Sequence, residues 1–180
     1  MKKIAKFEKV SFGEFFKAMQ KTHLFTEDEV RKIYDSIKLP KRATTGSAGY
    51  DFFMPITENI CWHEEILIPT GIRCKMEPGW VLKIYPRSGL GFKYRIRLNN
   101  TVGIIDSDYY FSDNEGHIMI KVANEIFGNE FCDKENVDPQ PVTLEAGNGF
   151  AQGIFVEYGI TEDDEVSEIR NGGFGSTTKS

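Results

Sequence analysis

The sequence predicts an all-β chain, a sandwich or barrel, with a helical hairpin near its start and a glycine-rich tail. Three observations carry this reading. Apolar residues recur at helical spacing only within residues 11–37. From Leu39 onward the apolar period drops to two. Turn signals such as Glu77-Pro78-Gly79 and Glu145-Ala146-Gly147 then break the alternating runs into short pieces. Many short strands with regular breaks belong to all-β architectures.

Taken in order, residues 4–10 form a first strand. Ser11 and Glu14 stand at capping-box spacing, and Phe12, Phe15, Phe16 and Met19 follow at i, i+3, i+4 and i+7. Thr26 and Glu29 repeat the box ahead of Val30, Ile33, Tyr34 and Ile37. The expectation is a helical hairpin with one apolar face per helix, packed on the barrel or on a neighbouring subunit. Further on, Trp80, Leu82 and Ile84 alternate with Val81 and Lys83, and Ile118, Ile120 and Val122 alternate with Met119, Lys121 and Ala123. The chain closes on RNGGFGSTTKS, residues 170–180. Glycine is the costliest residue to order, so this tail is expected to be disordered until a ligand orders it.

At 180 residues the chain is expected to be one domain, large enough to bury a core without disulfides or metals. Apolar residues at 40% and charged residues at 27% fit a soluble globular protein. A net charge of -5 argues against a general nucleic-acid or membrane binder, leaving a local basic pocket open. MKKIAKFEKVSF has a basic start without the apolar stretch of a signal peptide, and no window approaches the roughly 20 apolar residues of a membrane helix. Cys61, Cys74 and Cys132 are odd in number and lack a CxxC pair, which suggests a reducing cytoplasm. His23, His63 and His117 share no metal-ligand spacing.

Three clusters carry chemistry. AGYD, residues 48–51, reads alone as a strand start with an acid. PRSG, residues 86–89, is either a polar turn or a phosphate grip, because Arg87, Ser88 and Gly89 offer a guanidinium, a hydroxyl and an unobstructed N–H. NNTVGIIDSDYY, residues 99–110, can turn a β-hairpin whose main chain reads the edge of a base. Asp106, directly after two isoleucines, begins at a buried strand edge where it could polarise a water; a solvated hairpin tip is the plainer alternative.

Together with FAQGIF, residues 150–155, and RNGGFGST, these clusters stand in the order of the five motifs of the trimeric dUTPase family. From about Leu39 to the C-terminus the chain resembles that family. The resemblance implies a jelly-roll-like β-barrel, a homotrimer with active sites at subunit boundaries, a cytoplasmic location, and hydrolysis of dUTP to dUMP and pyrophosphate. It makes Asp106 the acid that orients the attacking water, and Asp51 the acid that reaches the nucleotide's Mg2+ through coordinated water. Ser88, Gly89 and Gln152 match phosphate-contacting positions, and Arg87 matches an arginine of the intersubunit network. Asn100, Gly103 and the backbone to Ile105 would read uracil, and Tyr109 would lie against the deoxyribose. Arg170, Phe174, Gly175 and Ser176 match a mobile C-terminal arm that closes over the nucleotide, with Phe174 stacking on uracil and Arg170 on the γ-phosphate.

The chain departs from the common family pattern in three places. YFSDNE, residues 110–115, is inserted where many members pass directly from Asp-Tyr to Arg-Gly. Gly149 replaces the usual arginine of the fourth motif. Arg170 stands four residues before Phe174, one fewer than the commonest spacing. The helical hairpin, residues 11–37, lies outside the resemblance. Two alternatives stay open: a dCTP deaminase-like enzyme, and a nucleotide-gated module that controls a regulatory protein partner.

Overall fold

The computed structural model describes residues 2–125 and 141–167. Strand β1 (Ala5–Lys9) leads into helices α1 (Phe12–Met19) and α2 (Glu27–Ser36). Next come β2 (Lys41–Arg42), β3 (Tyr50–Phe53), β4 (Glu58–Ile60), β5 (Glu65–Pro69), β6 (Ile72–Met76) and β7 (Trp80–Pro86). A third helix, α3 (Ser88–Tyr94), precedes β8 (Ile96–Leu98), β9 (Gly103–Ile105) and a 3-10 turn (Ser107–Phe111). Strands β10 (Met119–Asn124), β11 (Val142–Leu144) and β12 (Gly149–Glu157) complete the described chain.

The strands form small antiparallel sheets in the orders β1-β6, β5-β10-β8, β11-β4 and β2-β3-β12-β7-β9. All of them face one apolar core, in which Phe52, Ile60, Leu82, Ile84, Ile96, Ile118 and Phe150 are almost wholly buried. Each such side chain stabilises the fold by about 1.5–3 kcal/mol. Along β10 the alternation is as expected: Ile120 and Val122 point inward, while Lys121 faces solvent. The Glu77-Pro78-Gly79 and Glu145-Ala146-Gly147 turns form with their glycines at positive φ. Cys74 lies in the core, where burial pushes its thiol up to about 12.

The helical hairpin forms as its spacing predicts, and its two caps differ. At α2 both halves of the capping box are made: the Thr26 N–H donates to Glu29 Oε2 at 2.8 Å, and the Glu29 N–H donates to Thr26 Oγ1 at 3.4 Å. At α1 only one half is made, the Glu14 N–H donating to Ser11 Oγ at 3.2 Å. The Ser11 N–H goes instead to Glu115 Oε2, at 2.8 Å. Val10, Phe15, Met19 and Val30 form a second apolar cluster, and Ile37 touches both it and the main core. The hairpin's apolar faces therefore pack inside this chain, beside the core of the sheets.

Two local expectations are corrected. Residues after Pro86 form the helix α3, which SGLGFKY conceals because its two glycines are poor helix formers. Strands β8 and β9 do not pair with each other: β8 joins β10, and β9 joins β7. The Asn99-Asn100 turn thus bridges two sheets and leaves an opening between its arms.

Candidate active site

Adjacent strands bring the first group of residues together. On β3, Asp51 stands opposite Gln152 of β12, which in turn stands opposite Tyr85 of β7. Asp51 is 8% exposed, and its Oδ1 accepts from Gln152 Nε2 at 3.3 Å. Arg87, at the end of β7, places Nε 3.8 Å from the same oxygen and donates from Nη1 to the Gly149 carbonyl at 3.3 Å. Ser88 and Gly89 open the first turn of α3, where a helix leaves its N–H groups without partners inside the helix. A cleft of about 560 Å³ adjoins Arg87 and is lined by Arg87, Ser88, Gly89, Lys93, Asn148 and Gly149 among others, whereas Asp51 and Gln152 stand behind Arg87 and do not line it. It can receive a group rich in anionic oxygens.

The second group lines a cleft of about 490 Å³ between the arms of the bridging turn. Asn100, Gly103, Ile105, Asp106 and Tyr109 all border it, with Ile118 and Ile120 on the opposite wall. The turn is tight: the Val102 N–H donates to the Asn100 carbonyl at 2.6 Å, and Thr101 adopts φ 64°. Gly103 lies against β7, where a Cβ would stand 3.1 Å from the Cβ of Ile84. Asp106 is half-buried at the head of the 3-10 turn, which carries Tyr109 beneath the cleft. Tyr109 is 5% exposed, and its hydroxyl donates to the His117 carbonyl at 2.9 Å. Such a cleft, apolar with a polar rim and one carboxylate, suits a flat heterocycle better than a charged group.

Within one chain the two clefts share no lining residue. The sequence-selected residues are thus gathered into two half-sites, one for anionic oxygens and one beside Asp106. Arg170, Phe174, Gly175 and Ser176 lie outside the described residues. Lys93, Tyr94 and Asn148 line the first cleft without having been singled out in the sequence. The signal for Lys93 was its i+4 spacing from Gly89, which carries meaning only once α3 is known to be helical.

Asp51 supplies one hard, largely buried carboxylate oxygen. Among the described residues there is no cluster of three or more His, Cys, Asp or Glu side chains able to cage a metal ion. That donor set fits magnesium carried by phosphate oxygens and approached through its own water shell, the habit of an ion that dehydrates reluctantly.

A family model described as dUTPase matches residues 35–178. The deoxyuridine 5'-triphosphate nucleotidohydrolase of Lactococcus lactis is 41% identical over 144 residues, which cover 78% of this chain and 88% of that protein. The crystal structure of the Streptococcus mutans dUTPase superposes with a TM-score of 0.60 at 30% identity, covering 87% of this chain and 98% of that one. A mutant dUTPase of phage phi11 of S. aureus, described as coordinating a structural Mg(II) ion, shares the fold with a TM-score of 0.59 at 19% identity, covering 92% of this chain and 98% of its own. The motif order, the all-β fold and these likenesses place the chain in the dUTPase family.

Proposed function

We propose that this protein is a dUTP diphosphatase, which cleaves dUTP to dUMP and pyrophosphate by attack of water on the α-phosphorus. Removing dUTP would limit uracil incorporation into DNA, and the product dUMP would supply thymidylate synthesis. The observation that carries this reading is the placement of Asp106 on the rim of the cleft walled by Asn100, Gly103 and Ile105. In the mechanism, the Asp106 carboxylate accepts a proton from the attacking water, a contribution typically worth about 100- to 10,000-fold. Positioning and charge stabilisation supply the rest.

Asn100 and the main chain from Gly103 to Ile105 read the polar edge of uracil. A cytosine would leave donors and acceptors mismatched there, which discriminates strongly. A thymine methyl would meet the closely packed turn. Tyr109 lies against the deoxyribose and leaves no room for a 2′-hydroxyl. Arg87, Ser88, Gly89 and Gln152 hold phosphate oxygens. Magnesium bound with the nucleotide would neutralise phosphate charge, and the largely buried Asp51 carboxylate would hold it through coordinated water.

A single chain keeps its two half-sites in separate clefts, which favours a homotrimer whose subunits each lend one half to a shared site. Arg170, Phe174, Gly175 and Ser176 belong in this proposal to the arm that closes the site. The whole chain, residues 1–180, acts as one such unit in the cytoplasm, with the 11–37 hairpin as its insert. Chromatography of products from dUTP, UTP, dTTP and dCTP, each incubated with protein and magnesium, tests the reading. Selective conversion of dUTP to dUMP and pyrophosphate supports it. Ammonia release from dCTP would instead reveal a deaminase, and an inert folded trimer would point to a binding module.

A further inference from the structure

The segment after Tyr109 folds back beneath it. Asn114 Nδ2 donates to the Tyr109 hydroxyl at 2.8 Å, and the Tyr109 hydroxyl donates to the His117 carbonyl at 2.9 Å. The loop holding these groups is closed by its own bonds, from the His117 N–H to the Asn114 carbonyl at 3.0 Å and from the Gly116 N–H to Asn114 Oδ1 at 3.2 Å. Gly116, at φ 71°, allows the return: a Cβ there would stand 2.8 Å from the Tyr109 carbonyl oxygen. The aromatic floor of the cleft is therefore pinned at its far end by residues 114–117.

Those residues are in turn pinned by the helical hairpin. The His117 ring is wholly buried, and its Nε2 accepts from the Gly71 N–H at 2.9 Å, which leaves its proton on Nδ1. Nδ1 faces Glu14 Oε1 of α1 across 3.6 Å, and the ring packs beside Phe15 of the same helix. On the flank, Glu115 takes both the N–H and the hydroxyl of Ser11, the N-cap of α1. A continuous chain of contacts thus runs from α1 through His117 to the hydroxyl of Tyr109.

We infer that Asn114, His117 and Glu14 are positioning residues for Tyr109, through which the helical insert sets how strictly the pocket rejects ribose. This rests on the proposed placement of Tyr109 against the sugar. A ring held at its hydroxyl cannot retreat from a 2′-hydroxyl; a ring released at that end can.

The test compares kcat and KM for dUTP and UTP in the full-length protein and three variants. In Asn114→Ala the preference for dUTP over UTP should fall about 5- to 10-fold, the scale of one lost hydrogen bond, chiefly through a lower KM for UTP. Glu14→Ala should move the preference in the same direction by less, and Glu14→Gln, which keeps the side chain's shape and an oxygen at the place that packs 3.6 Å from His117 Nδ1, should restore it. Asn114 is half-buried in the loop, so Asn114→Ala decides the matter even if Glu14→Ala fails to fold. Unchanged preference in a folded Asn114→Ala variant would overturn the inference while leaving dUTP hydrolysis intact. Absence of dUTP turnover in the wild-type protein would remove the proposed function, and this inference with it.

Discussion

Arg87 lies directly over Gly149: its Nη1 donates to the Gly149 carbonyl at 3.3 Å and stands 3.0 Å from where a Cβ on residue 149 would sit. The glycine that replaces the family's usual arginine therefore has a local use. It lets the guanidinium rest on bare backbone while its Nε stays 3.8 Å from Asp51.

Gly149→Ala should therefore impair turnover more than stability. The new methyl would push the guanidinium away from Asp51, and kcat/KM should drop about 3- to 10-fold as phosphate positioning loosens. Arg87 is exposed enough to move aside, so unfolding in urea should shift by less than about 0.5 kcal/mol. Equal kinetics for variant and wild type would show that the Arg87 position is not critical.

Asp106→Asn should reduce kcat by about 100- to 10,000-fold, because the amide keeps the shape of the carboxylate and loses its basicity. Nucleotide binding, read by calorimetry with a non-hydrolysable dUTP analogue, should persist. Unchanged kcat would remove Asp106 from its role.

His117 gives the fold an acid sensitivity whose sign can be stated. Burial lowers its pKa from the ordinary 6.5 to about 4, with the Glu115 carboxylate opposing that shift. As pH falls below 6.5 the unfolded chain takes up the proton first, so stability declines until about pH 4, where the folded imidazole is protonated too. The loss is on the order of 3 kcal/mol. Glu14, whose pKa burial raises, works the other way, because the folded state then holds its proton more readily. Urea unfolding at pH 7 and pH 4.5 should show a larger loss for the wild type than for His117→Gln. Equal losses would contradict this account of His117.

Deleting residues 170–180 should leave the protein folded and, in the proposed mechanism, reduce turnover by about tenfold or more, since closure over the nucleotide would be lost. Near-normal turnover in the truncated protein would take the arm out of the mechanism.

Much of this architecture is legible in the residues, and the parts that are not share a cause. The hairpin follows from the i, i+3, i+4, i+7 apolar spacing after Ser11 and Thr26, a purely local signal. The Thr26–Glu29 box is local as well, and both of its halves form. The Ser11–Glu14 box looks identical in sequence, yet Glu14 turns to His117 and Ser11 to Glu115, partners about a hundred residues away that no spacing rule encodes. Likewise, Asn99-Asn100 reads as an ordinary hairpin turn because nothing local says that β8 and β9 join different sheets. The candidate site residues were legible as a set from the order of their motifs. Their division into two clefts was not, since it depends on which strands become neighbours.

Hydrolysis of dUTP in water enriched in oxygen-18, with mass spectrometry of both products, tests the central claim most directly. Water attack on the α-phosphorus forms the new P–O bond there and breaks the bond to the bridging oxygen, which leaves with pyrophosphate. The account predicts one labelled oxygen in dUMP and none in pyrophosphate. Label in pyrophosphate, or no cleavage of dUTP at all, would contradict it.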